Sequence, residues 1–206
     1  MTAEQQNIKH YLREVRDLCR YRIVNADQTL GTLSGLVFDP RSLLVTQFLV
    51  TPSGRQDDRV AVSVELFRSL DDAKGTFEVE LSAEGLRSAE HYRPEMLARP
   101  QLIDTSAVIG RAVEGSAGRI DDLLVNFVAW QLRYLGITVG SRRVLTDIEW
   151  CSSFDGGKKP VGIDLPAEAI ATAPPYQALD ELCRGYEEAL YRHYTSRAYV
   201  IESDVA

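Results

Sequence analysis

The sequence predicts a mainly β protein: two small β-barrels in tandem, each closed by a short helix, with helices flanking the pair. Three observations point there. The phrase VELSAEGLRSAEHY (Val79–Tyr92) returns 84 residues later as IDLPAEAIATAPPY (Ile163–Tyr176). At the same offset RVAVSVEL (Arg59–Leu66) lies on RVLTDIEW (Arg143–Trp150) with its Arg, Val and Glu kept. Within each copy apolar residues alternate with polar ones, the period of a half-buried strand.

The elements follow in order. In residues 1–17, Ile8, Leu12 and Val15, continued by Cys19, fall on one helical stripe beside Lys9, Arg13, Arg16 and Arg20. That spacing predicts a short N-terminal helix whose basic flank is its wet side or a contact for an acidic protein or anionic lipid. The first barrel spans 18–92. Its LGTLSGLVFD (Leu30–Asp39) pairs with AGRIDDLLVN (Ala117–Asn126) at an offset of 87, and the three-residue difference belongs in a loop.

Val60, Val62, Val64 and Leu66 predict one strand, Phe77, Val79 and Leu81 another, and Val161, Ile163 and Leu165 its counterpart. Turn residues separate such strands at Asn25–Gly31, Phe38–Ser42, Thr51–Asp58 and Ser152–Pro160. Each copy then ends in a helix of one or two turns, begun by Ser82 as an N-cap or by Pro166, which needs no backbone donor. Many short antiparallel strands favour closure, because closure removes exposed edges. If the copies share one register, Val62 and Val64 are buried like Thr146 and Ile148, and Leu81 like Leu165.

Residues 93–104, with prolines at 94 and 100, read as a linker, 105–176 as the second barrel, and 177–206 as a helix and tail. In that helix Leu179, Leu182, Cys183, Tyr186, Leu190 and Tyr194 form one apolar stripe. Such a stripe predicts docking, on the chain's own barrels or on a second copy in a homodimer.

Composition narrows the partners. The net charge is −7, with 13 basic against 15 acidic residues in 1–103 and 10 against 15 in 104–206. Neither half has the cationic excess that binding nucleic acid requires. No run reaches the roughly 18 apolar residues of a transmembrane helix, and the first residues lack the basic-then-apolar order of a secretory signal. The expectation is a cytoplasmic protein without a transmembrane segment, with peripheral membrane association left open. Cys19, Cys151 and Cys183 are an odd number without C-x-x-C spacing, which predicts free thiols.

Few residues invite a chemical role. Asp121 and Asp122 read first as a solvated strand edge, with an ion or proton role as the alternative. His10, His91 and His193 lie in three separate regions without metal-ligand spacing, and FDGGKK (Phe154–Lys159) reads as a hairpin turn. No catalytic residue, metal ligand or cofactor site is expected. Trp130 and Trp150 read as core edge before recognition, since their counterparts are Leu43 and Leu66. Trp130, with Leu182, Tyr186, Leu190 and Tyr194, makes the candidate interface.

GRIDDLLVN (Gly118–Asn126), WQLRYLGI (Trp130–Ile137), RRVLTDIEW (Arg142–Trp150) and VGIDLPAEAIATAPPY (Val161–Tyr176) stand in the order of a known pattern. Together they resemble the PRC-barrel, the small β-barrel named for the cytoplasmic domain of the photosynthetic reaction-centre H subunit. The first copy resembles it more weakly, with SLLVTQFLV (Ser42–Val50) in place of the W-x-x-R-Y-L strand. The resemblance implies a tandem PRC-barrel protein and a non-catalytic, protein-binding adaptor on a larger assembly, such as a membrane-associated, photosynthetic or electron-transport complex. Two alternatives stand beside it: an enzyme or ion-handling protein with a site between barrels, and a ribosome-maturation-like adaptor.

Overall fold

The computed structural model describes residues 11–26, 28–55, 58–89, 91–93, 102–154, 159–179 and 182–203, with side chains through Ser196. The chain divides into two units, Val15–Ser106 and the pair of segments Met1–Glu14 and Ala107–Ala206. The described residues are mainly β, with a long C-terminal helix.

In the first unit, the one-turn helix α1 (Val15–Leu18) leads into strands β2 (Arg22–Asn25), β3 (Gln28–Phe38), β4 (Val45–Pro52) and β5 (Val60–Ser63). A 3-10 turn (Val64–Leu66), strands β6 (Phe67–Asp71) and β7 (Thr76–Val79), and helix α2 (Ala83–Ser88) follow. Strand β8 (Ile103–Asp104) ends the unit. The sheet runs β5-β4-β3-β2-β7-β6, with β8 added on β3.

The second unit holds β1 (Leu12–Glu14), β9 (Arg119–Asn126), β10 (Gln131–Val139) and β11 (Arg142–Asp147), paired in that order. A 3-10 turn (Ile148–Trp150), the pair β12 (Cys151–Ser153) and β13 (Gly162–Ile163), helix α3 (Ala167–Thr172) and helix α4 (Arg184–Ser203) complete it. No described helix is long and apolar enough to cross a membrane.

Strand pairing shows the duplication residue by residue. Leu36 pairs with Phe48 and Leu123 with Leu135; Leu33 with Val50 and Ile120 with Ile137; Phe48 with Val62 and Leu135 with Thr146; Phe67 with Val79 and Cys151 with Ile163. Even the irregularities repeat. The β3–β4 ladder skips Ser34 and Thr46, and the β9–β10 ladder skips Asp121 and Arg133, their counterparts. Such bulges re-aim side chains and sharpen twist. Leu43 and Trp130, which precede β4 and β10, share a left-handed backbone at φ 61° and 50°. A Cβ on Gly31 would lie 2.3 Å from Thr51 O, and one on Gly118 2.9 Å from Ile137 Cγ2, so both copies need glycine where strands pass closely.

The cores match accordingly. Leu36, Val37, Phe48 and Val60 are buried, as are Leu123, Leu124, Leu135 and Val144. Val62 is buried like Thr146, and Leu81 and Leu165 are both half-buried. Val64 departs, half-buried where Ile148 is 2% exposed.

Several expectations need correction. The segment read as an N-terminal helix is described from Tyr11, and its Leu12–Glu14 is a strand, with Leu12 and Arg13 on Asn126 and Val125. Only Val15–Leu18 is helical. The three- and four-residue apolar spacing serves two short elements: Leu12 is buried from a strand, Val15 and Leu18 from a single turn. The stretch Val60–Leu66 is not one strand, because Ser63 and Asp147 cap 3-10 turns by accepting from the amides of Glu65 and Glu149. The segment read as a linker ends in β8, paired with Val37 and Phe38. The sheets are not closed barrels. The described ladder of the first unit ends at β5 and β6, with the 3-10 turn between them in sequence. Ser82 does cap α2, its Oγ accepting from Gly85 N at 3.0 Å.

One core position is mismatched in chemistry. Thr146 is fully buried and its Oγ1 has no hydrogen-bond partner among the described residues, whereas the first copy places Val62 there. Thr146→Val keeps the shape and removes an unsatisfied polar group, so it should raise unfolding stability by about 1 kcal/mol in urea titration. A loss of stability would show that the hydroxyl is satisfied.

Candidate functional site

Each unit contains a half-buried arginine–carboxylate pair of the same plan. In the second, Arg143 opens β11 and its backbone carbonyl accepts from Tyr176 N at 2.8 Å. Its guanidinium stands 5.1 Å from the centre of the Tyr176 ring. Nη1 donates to Glu14 Oε1 at 2.9 Å, Nε lies 2.6 Å from Asp121 Oδ2, and Nη2 is 3.9 Å from Asp122 Oδ2. Tyr176 Oη donates to the same Glu14 oxygen at 2.8 Å. Burial pulls the Arg143 pKa down, but Glu14 and then Asp121 outweigh it, leaving the guanidinium more firmly charged than usual.

In the first unit, Arg59 Nη2 lies 2.8 Å from Asp104 Oδ2, the guanidinium is 4.9 Å from the Tyr92 ring centre, and Tyr92 N donates to Arg59 O at 2.6 Å. Asp104 is the counterpart of Glu14, each ending the short strand added to β3 or β9. The shorter Asp104 approaches Gly35, where a Cβ would lie 3.3 Å from its Oδ1. Asp122 is the counterpart of Gly35, and it and the longer Glu14 both reach Arg143.

This arrangement corrects the reading of the acidic pair. Asp122 is fully buried, not solvated, with Oδ1 accepting from Leu123 N at 2.8 Å; Asp121, the skipped residue of a bulge, turns to Arg143. Their charge is met by a guanidinium. Among the described residues no group of three or more His, Cys, Asp or Glu stands where it could hold a metal ion.

The second unit also carries an open cleft of ≈ 870 Å³ between α4, the β10–β11 hairpin and the turn after it. Arg133, Glu149, Trp150, Glu188, Tyr191 and Arg192 are among its walls. Arg133, the second skipped residue, stands 3.2 Å from Asp147 and 3.9 Å from Glu149, with its guanidinium 5.4 Å from the Tyr134 ring centre. Arg184 holds Glu188 at 3.0 Å along α4. Burial raises the pKa of Asp147 although Arg133 opposes it. Tyr191 is 71% exposed, and Trp150 is half-buried. Cys151, adjoining Trp150, has its thiol pushed up to about 12 by burial and stays protonated.

The candidate interface residues serve this unit's own packing. Leu182, Leu190 and Tyr194 are buried, Tyr194 Oη donates to Leu145 O at 2.8 Å, and Tyr186 Oη donates to Pro174 O at 3.1 Å. The stripe therefore docks on its own chain, and the helix begins at Arg184, later than Leu179 and Leu182 suggested. Tyr134 Oη donates to Glu187 of α4. Trp130 is half-buried in the turn before β10. A His193 ring nitrogen is 2.8 Å from Ala169 O, His91 is exposed beside Asp58, and His10, Lys9 and most of the FDGGKK turn lie outside the described residues. All three cysteines are free.

Sequence reasoning missed the arginine clamp, although its signal was present: Arg59 and Arg143, like Tyr92 and Tyr176, keep the offset of 84. Compared with models of known protein families and with curated proteins, the chain matches none.

Removing Arg143 leaves Glu14 and Asp122 buried without their cation, so Arg143→Met should cost about 3 kcal/mol. Arg59→Met should cost less, because one carboxylate faces Arg59 and three face Arg143. Equal losses in urea titration would sink the assignment of Arg143 as the more heavily charged centre. Alkali supplies a second test. Tyr134, Tyr176 and Tyr194 all have phenols raised above 10.0, mainly by burial, with Glu187 and Glu14 adding to the first two. The folded state keeps protons that the unfolded chain releases, so stability is full below pH 10.0 and declines above it. With all three contributing, the slope is about 4 kcal/mol per pH unit. A urea midpoint that stays flat as pH rises past that value would contradict it.

Proposed function

We propose that the chain is a non-catalytic adaptor built from two duplicated β units related to the PRC type, cytoplasmic in location, which docks a partner protein in the cleft of its second unit. The observation that carries this reading is the cleft wall: a half-buried Trp150, an exposed Tyr191 and Arg192 around paired charges. Tryptophan, tyrosine and arginine are the residues that anchor protein interfaces. The ion pairs at Arg133 and Arg184 support it too, since they hold the walls in shape before a partner arrives, which lowers the ordering cost of binding. The W-x-x-R-Y-L residues bear on the same place. Arg133 and Tyr134 line the cleft, and Tyr134 ties α4 to the sheet. The acidic balance of both halves favours a protein over nucleic acid.

The test is affinity capture with the immobilised full chain from native extract, membrane and ribosome fractions run apart. A specific protein should be retained, and the double variant Trp150→Ala, Tyr191→Asp should weaken its binding roughly a hundred-fold with the melting temperature unchanged. Undiminished capture by the folded double variant would rule the cleft out.

A further inference from the structure

Among the differences between the two units, the second is followed by the long helix α4. That helix covers a definite seat. Tyr134 meets Glu187, Leu145 O accepts from Tyr194, Ala169 O lies against His193, and α3 packs on α4. Tyr134, Leu145, Ile148, Ala169 and Ala173 are all 3% exposed or less.

Their counterparts in the first unit are Gln47, Ala61, Val64, Gly85 and Ala89, fixed by the shared register. All five are half-buried. The departure of Val64 from Ile148 thus belongs to a whole face that one unit covers and the other leaves partly open. Gln47, Ala61 and Val64 are also smaller than the residues they replace, and Ala61, Gly85 and Ala89 leave a shallow surface with room for the side chains of an approaching helix.

Charge limits what fits. Glu65 and Glu84, counterparts of Glu149 and Glu168, are exposed and have no ion-pair partner among the described residues. Of the nearby cations, Arg68 pairs with Glu80, while Arg87, whose Nε donates to the neutral Ala83 O, keeps its positive charge. In the second unit, Glu149 shares the cleft with Arg184 and Arg192 of α4. An α4 from a second copy is not available, because its Leu190 and Tyr194 are already buried on its own unit.

We infer that the face formed by Gln47, Ala61, Val64, Gly85 and Ala89 is a second docking site, taking an amphipathic helix of another protein with apolar residues four apart and Lys or Arg along the flank. This rests on the duplication and not on the cleft, so either proposal stands or fails alone. The probe is a fluorescein-labelled peptide of residues 182–196 carrying Cys183→Ser, Glu187→Lys and Glu188→Lys, titrated with the full chain and followed by anisotropy. Saturable binding in the micromolar range is expected. Ala61→Arg fills the seat and should weaken binding roughly ten-fold, and Glu65→Lys, at an exposed position that does not threaten folding, should weaken it several-fold. Trp150→Ala with Tyr191→Asp should leave it unchanged. Absence of binding to the wild-type chain, or affinity unmoved by Ala61→Arg and Glu65→Lys, overturns the inference. So does self-association of the unlabelled chain that Ala61→Arg abolishes, which would give the face to a second copy.

Discussion

The fold turns on an arginine held between a carboxylate and a tyrosine ring, made once in each unit. Arg59 with Asp104 and Tyr92, and Arg143 with Glu14 and Tyr176, join three stretches far apart in sequence: the start of β5 or β11, the tail of the repeated phrase, and a short strand added to β3 or β9. A guanidinium suits this junction because it keeps its charge when half-buried, donates in several directions and stacks on an aromatic face. Lysine offers neither the fork nor the stacking. The repeated phrase therefore ends in tyrosine for a structural reason: the ring covers the cation, and the backbone amide beside it closes onto the same arginine's carbonyl.

The two clamps share a plan and differ in how much charge they gather. Gly35 opposite Asp104 makes a small site with one carboxylate, while Asp122 opposite Glu14, joined by Asp121 from a bulge, gathers three around one cation. The bulge matters as much as the acid. Ser34 occupies the same irregular position in the first unit, so the backbone device is common to both copies and only the second places a charge on it. Arg133 and Tyr134 likewise exploit a bulge whose counterpart carries Thr46 and Gln47.

Much of this was legible in the sequence, and the rest was hidden for physical reasons. Period-two alternation located β5, β7 and their partners, and the shared offsets gave a register that the ladders repeat pair for pair. Val64 and Ile148 sat in phase with those strands and still entered 3-10 turns, because a cap on the preceding residue outweighs an alternating pattern over three residues. Leu12 illustrates the opposite ambiguity: a spacing of three and four is helical only when one element contains it. Leu182, Leu190 and Tyr194 are buried on their own unit, because an apolar stripe in a sequence does not say what it docks on. Asp122 was the plainest misjudgement. Acidic residues seldom lie in a core, and the cation that offsets this one, Arg143, stands 21 residues further along the chain.

The short strands at the edges bear on the history of the chain. Strand β1 precedes the first unit in sequence yet belongs to the sheet of the second, and β8 precedes most of the second yet pairs within the first. The dependence runs one way: Val15–Ser106 carries β8 and Asp104 within itself, while the second unit takes β1 from ahead of the first. A gene carrying only Ala107–Ala206 would encode a sheet with β9 bare at its edge and Arg143 without Glu14. Loss of the first copy together with the segment before it therefore damages the second, so the first is retained like the pawl of a ratchet. Side chains can drift apart, as Ser34 and Asp121 have, while the leading copy stays in place.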